Sequence, residues 1–120
     1  VHSKNPLLIL INTILLIGII LFFKISIVHA RSRAPAWSCL FATKLTNRKF
    51  VTTFHGTYNF SGKFKKFYNS VMVRSDLIIA GSNFIFSHIK ENYSEFLTSQ
   101  KKFLVIWNLI FMVILLDLIL

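Results

Sequence analysis

The sequence predicts an α/β domain built from parallel β–α–β units. Three observations point there. Short runs rich in β-branched and aromatic residues alternate with stretches of helical periodicity. Two of those runs, Phe50–Phe54 and Asp76–Ala80, stop abruptly at His55-Gly56 and Gly81-Ser82. Between them, Phe64, Phe67, Tyr68, Val71 and Met72 fall at i, i+3, i+4, i+7 and i+8, an amphipathic helical stripe. Ligands of open α/β sheets sit at the carboxyl ends of the strands. His55-Gly56 and Gly81-Ser82 therefore mark the expected functional rim.

The first element is a helix, Pro6 to Phe23. Asn5 suits its N-cap and Pro6 its first position. The run is apolar except for Asn12, Thr13 and Gly18, so it fits either a helix buried on most sides or the shortest membrane span. A strand-like run, Ile25–Ala30, follows. Arg31-Ser32-Arg33-Ala34-Pro35 reads as a turn carrying two cations, with Pro35 holding Ala34 away from helix. Ala36–Leu45 has helical spacing, and Thr46-Asn47-Arg48 breaks it. After the strand Phe50–Phe54 comes a loop, His55 to Gly62. Ser61 is the expected cap of a helix running to about Arg74. Lys63, Lys65 and Lys66 near its start oppose the helix dipole, a local conflict of the kind found at functional surfaces. The third strand, Asp76–Ala80, leads through Gly81 into a helix over Asn83–Tyr93, capped by Ser82 or Asn83. Phe84, Ile85, His88, Ile89 and Asn92 share one face of it. Phe103–Ile106 is a candidate fourth strand, and the pattern fails from Trp107 onward.

Bulk properties narrow the partners. The chain has 120 residues, enough for one small domain, and is 54% apolar, which argues against disorder. Net charge is +10, and 13 of the 14 basic residues lie between Lys24 and Lys102. That middle favours an anionic partner: nucleic acid, an acidic membrane surface or a phosphorylated substrate. Nucleic acid is not the expected one, because no helix-turn-helix, zinc or RNP-like pattern accompanies the charge. Cys39 is the single cysteine, so no internal disulfide forms and no Cys-rich zinc site exists. The four histidines show no metal spacing, and Gly81 lacks the companions of a dinucleotide fingerprint. Neither metal nor cofactor is expected. His29 reads as a structural strand-end residue, and Cys39 as a helix-packing one.

Four segments, HARSRAPAW (His29–Trp37), FVTTFHGTYN (Phe50–Asn59), KKFYNSVM (Lys65–Met72) and DLIIAGSNFIFSHI (Asp76–Ile89), carry a resemblance. In this order they resemble the amino-terminal domain of glycosyltransferase family four, the group 1 GT-B enzymes, over about Asn5 to Ile106. The likeness is greatest to bacterial members linked to lipopolysaccharide or other envelope glycans. The resemblance implies a Rossmann-like parallel sheet with flanking helices that faces an acceptor. It also implies a nucleotide-sugar donor held by a second, carboxyl-terminal domain. In such enzymes a histidine of a T-x-H-G pattern at a strand end lies beside the donor sugar; here that is His55, followed by Gly56. The HARSR turn would line the same cleft, giving Arg31 and Arg33 a role with an anionic acceptor or a donor phosphate. Ser82 would sit at a later strand end. The paired glutamates of the donor domain have no counterpart here.

The expectation is thus a partial domain over residues 1–106 and an apolar tail over 107–120 that departs from the family pattern. The implied function is sugar transfer from a nucleotide-sugar donor to an envelope glycan or lipid acceptor, with the isolated chain inactive. The implied location is cytoplasmic, either free or peripheral on the inner face of the cytoplasmic membrane. A competing reading is a small membrane protein with spans at 6–23 and 103–120 and a basic cytoplasmic middle. Against it stand Asn12, Asn108 and Asp117; an Asp at a span centre costs about 2.5–3.5 kcal/mol.

Overall fold

The computed structural model describes residues 5–58, 61–97 and 102–105. The elements, in order, are α1 (Pro6–Phe22), β1 (Ile27–Ala30), α2 (Arg33–Thr46), β2 (Lys49–Phe54), α3 (Lys63–Asn69), β3 (Leu77–Ala80), α4 (Asn83–Asn92) and β4 (Lys102–Val105). Short 3₁₀ turns, Ser70–Val73 and Ser94–Phe96, follow α3 and α4. The expected α/β class is what forms: a Rossmann-like, four-stranded parallel sheet in the order β1-β2-β3-β4, flanked by helices. Register aligns His29 with Val51, Phe54 with Ala80, and Ala80 with Val105. The two runs that anchored the sequence reading are therefore neighbouring parallel strands. Their carboxyl tips open on one edge, where the Gly81 amide donates to the Phe54 carbonyl at 3.3 Å.

Local chemistry explains most boundaries. The Asn5 side chain accepts from the Leu7 amide at 3.0 Å, so α1 begins where the cap rule places it. Asn47 ends α2 in the left-handed region (φ 53°, ψ 46°), which asparagine tolerates better than most residues. Ser82 accepts from the Ile85 amide at 3.2 Å and caps α4. Ser61, by contrast, does not cap α3: the N-cap is Gly62 at φ 98°. Ala34 and Pro35 lie inside α2 rather than in a turn before it. A proline in the first turn removes only an amide that has no intrahelical partner there, so the helix opens two residues earlier than Pro35.

The core lies between α2, the 3₁₀ turn after α3, α4 and the sheet. Phe54, Val71, Met72, Val73, Ile78, Ile89 and Tyr93 are fully buried. Val71 and Met72 are thus the inner half of the predicted stripe. Phe64 and Phe67, its outer half, are 74% and 52% exposed, because the backbone tightens to 3₁₀ at Ser70 and the helical face does not continue through both. Phe84 is likewise exposed while Ile85 and Ile89 are buried.

α1 departs most from expectation. It is not buried on most sides: only Thr13 and Ile20 are buried, and Leu7, Ile14, Leu15 and Phe22 are each more than half exposed. Among the described residues no helix is long and apolar enough to cross a membrane. The second proposed span fails for another reason. Phe103–Val105 belong to β4 and pair with β3, so they cannot be part of a transmembrane helix. Ile106 and the tail at 107–120 lie outside the described residues.

Candidate functional site at the strand tips

β1 and β2 deliver their last side chains, and the turns after them, to one rim. His29 is the penultimate residue of β1, and its Nε2 lies 2.7 Å from the Thr53 hydroxyl on β2. Two residues on, Arg31 Nε donates to His55 Nε2 at 3.3 Å. That bond requires a lone pair on His55 Nε2, which places the proton of the neutral ring on Nδ1. Protein packed around both imidazoles, and then the charge of Arg31, hold their pKa values below the ordinary histidine value; His29 is lowered further by His55. Both rings are therefore uncharged at neutral pH.

Arg33 starts α2 and turns the other way. Its guanidinium donates to Asn69 Oδ1 at 2.6 Å and stacks 4.5 Å from the Tyr58 ring centroid, with Tyr68 at 5.7 Å. Asn69 is fully buried and reaches the Tyr93 hydroxyl at 3.4 Å. Phe54, the last residue of β2, packs on both Tyr58 and Tyr93, at 4.7 and 5.8 Å between centroids. Burial raises the pKa of both tyrosines, Arg33 and, for Tyr93, Lys66 working in the opposite direction. Both stay protonated as neutral hydroxyls. Lys66 pairs with Glu95 at 2.7 Å, so one of the three lysines near the start of α3 has a carboxylate partner.

The structure brings Arg31 and His55 together and sets His29 beside them. It sets Arg33 apart, against the aromatic wall. Ser82 sits past the tip of β3, with its hydroxyl capping α4. Gly56 follows His55, and a Cβ built there would meet nothing within 4 Å. Sequence reasoning missed Tyr58, Asn69 and Tyr93. Two of these lie inside quoted motifs, Tyr58 after His55-Gly56 and Asn69 in KKFYNS, but nothing in their spacing flags a contact with Arg33. Chemically, the rim offers the Arg31 guanidinium and two neutral imidazoles, backed by a wall of Arg33, the half-buried Tyr58 and the buried Tyr93. Among the described residues no group of three or more His, Cys, Asp or Glu side chains is placed to hold a metal ion. Among the described residues no carboxylate pairs with His55, so a charge-paired histidine base is absent from them.

Comparison with known proteins agrees with this architecture. A crystal structure of a glycosyltransferase from Rickettsia africae ESF-5 is similar at 49% identity and a TM-score of 0.71. The similarity covers 90% of this chain and 28% of that one. No curated protein matches. The model of the family described as Glycosyltransferase Family 4 matches residues 1–110, nearly the whole sequence, and the chain belongs to that family.

Proposed function

We propose that this chain forms the acceptor-side portion of a glycosyltransferase that moves a sugar from a nucleotide-sugar donor to an envelope glycan or lipid acceptor. The observation that carries the reading is the Arg31–His55 contact at the tips of β1 and β2 in a chain of this family. Catalysis in such a site is mostly positioning and stabilisation of the departing phosphate. His55, neutral and protonated on Nδ1, can donate to a hydroxyl of the transferred sugar. Arg31 is exposed and presents its fork to a phosphate or another anion. Gly56 leaves open space beside His55 through which a ligand can approach. Arg33 holds the wall of the cleft, and Ser82 aligns the start of α4 at its margin. The groups that grip the donor diphosphate belong to the second domain that the family implies, so this chain alone transfers nothing. The setting is the cytoplasmic face of an anionic membrane, to which the basic surface around Lys63 and Lys65 is suited.

The test is a hybrid enzyme in which residues 5–105 replace the matching part of the Rickettsia africae protein. Nucleotide release from UDP- and GDP-sugars is measured with and without acceptor lipid extracts. The hybrid is expected to turn over one donor, and His55→Ala to lower kcat about 100-fold, within the range for a lost positioned hydrogen-bond donor. Turnover by the 120-residue chain alone, or a His55→Ala hybrid as fast as its parent, would refute the reading.

A further inference from the structure

At the end of the sheet opposite the rim, α2 stops and β2 and β3 begin. A pocket of about 230 Å³ lies at that junction, lined by Lys44, Asn47, Arg48, Lys49, Arg74 and Asp76. Backbone hydrogen bonds pin its walls. The Arg48 amide donates to the Thr43 carbonyl at 2.9 Å, closing the turn that follows α2. The Lys49 amide donates to the Ser26 carbonyl at 3.1 Å. The Phe50 amide donates to Asp76 Oδ2, and the Asp76 amide donates to the Phe50 carbonyl, both at 2.8 Å. Arg74 is engaged elsewhere: its Nε donates to Ser70 Oγ at 3.0 Å, and its guanidinium lies 5.3 Å from the Phe67 ring centroid and 5.1 Å from that of Phe96. That leaves Lys44, Arg48 and Lys49 with one lining acid, Asp76. Acids are scarce, four in the whole chain, and Glu95 is taken by Lys66. Among the described residues no carboxylate lies within ion-pair distance of Lys44, Arg48 or Lys49. Arg48 Nε is buried without a hydrogen-bond partner, and a buried charged donor is costly unless something accepts from it.

The charge balance selects the ligand. Three cations and one acid leave a net charge of +2. The dipole at the end of α2 offsets only about half a charge of that and accepts nothing from Arg48 Nε. A phosphomonoester carries about −1.5 to −2 near neutral pH and offers three acceptor oxygens. We propose that this pocket binds a phosphate dianion, free or as the end group of a small soluble phosphomonoester. Arg48 gives its fork, Nε–H included, to the phosphate oxygens. Lys44 on α2 and Lys49 on β2 add charge from the two flanking elements. The bound anion ties the end of α2 to the starts of β2 and β3. The site is separate from Arg31 and His55, and the inference does not rest on sugar transfer.

The full chain is titrated with inorganic phosphate and, separately, with glycerol 3-phosphate, at constant ionic strength set with sodium chloride. Arginine Nε–H signals are followed by NMR, and that of Arg48 is identified by its loss in Arg48→Lys. The Arg48 signal should shift saturably with phosphate, and the tighter of the two ligands names the source. At about ten times its Kd the ligand should raise Tm by about 5 °C. Arg48→Lys keeps the charge without the fork and should weaken binding about tenfold by the same Tm titration. Lys44→Gln should weaken it by up to about fivefold. Arg48→Met removes the unmet donor, so in phosphate-free buffer it should be at least as stable as the parent, and phosphate should no longer stabilise it. Three results overturn the proposal: a shift as large with chloride, phosphate stabilisation undiminished in Arg48→Met, or a response to phosphatidic acid vesicles and to neither soluble phosphate. If Arg48→Met does not fold, the comparison of phosphate with chloride on the parent and the Arg48→Lys titration still decide. Neither result bears on nucleotide-sugar turnover by the hybrid, so the two readings fail separately.

Discussion

Arg33→Ala separates a structural cation from a solvated turn. Arg33 is partly buried, donates to a fully buried amide oxygen on Asn69 and covers the Tyr58 ring at 4.5 Å. A hydrogen bond to a charged group contributes about 1.5–3 kcal/mol, and a partly exposed cation–π contact about 0.5–1 kcal/mol. Removing the guanidinium also leaves Asn69 Oδ1 without that donor. The expected loss is about 2–4 kcal/mol in urea unfolding followed by tryptophan fluorescence. Asn69→Ala should cost a similar amount. The double variant should cost less than the sum, with a coupling of about 1–2 kcal/mol for residues in direct contact. Arg33→Lys keeps the charge but not the planar fork and should recover less than half. A loss below about 0.5 kcal/mol, or additive singles, would refute the account and return Arg33 to the solvent-exposed class.

Other measurements follow from the same packing. His29 and His55 should titrate below the ordinary value of about 6.5 by NMR. Because the folded state disfavours their protonation, their cost to stability is absent above that value and grows as pH falls from it toward the lowered pKa. Arg31→Ala should raise both, each only partly, since burial is the larger cause for each. A His55 pKa unmoved by that change would break the assigned contact. Thr52 is fully buried, with its hydroxyl 2.6 Å from both the Met72 carbonyl and the Ser75 hydroxyl, so Thr52→Val should cost about 1–3 kcal/mol in the same unfolding assay. Burial pushes the Cys39 thiol up to about 11. Iodoacetamide at pH 8 should therefore label it only in urea, and rapid labelling of the native chain would contradict its packing.

The sheet was legible because its signals are local. Phe50–Phe54 and Asp76–Ala80 are short apolar runs that end in Gly-containing turns, and both are strands within one residue of the expected bounds. The exposure of α1 was not legible. An apolar stretch reports what a helix could bury, not whether a neighbour covers it, and α2 covers only the Thr13–Ile20 side. The stripe through Phe64 and Met72 misled in the same way. Its period assumes one continuous α-helix, and the 3₁₀ turn at Ser70 rotates the later residues into the core and leaves the earlier ones outside. At the rim, the residues that follow strands were readable from strand ends alone. The Arg33–Asn69 bond joins residues 36 apart in sequence and is set by how α3 docks, which no local pattern encodes.

The HARSR turn shows how two like charges two residues apart take different tasks. If the segment stayed extended, Arg31 and Arg33 would point to opposite sides by alternation. Instead α2 begins at Arg33, and the helix start carries that side chain onto Tyr58 and Asn69 while Arg31 remains on the strand side with His55. Arg33 is therefore satisfied by the protein itself, with an acceptor and an aromatic face. Among the described residues Arg31 meets a neutral imidazole, a weak acceptor for a full positive charge, and stays exposed. A cation held beside two rings that burial, and then its own field, keep uncharged is incompletely compensated, and we propose that an anion completes it. In the function proposed above, Arg31 is accordingly the one of the two arginines that meets a ligand.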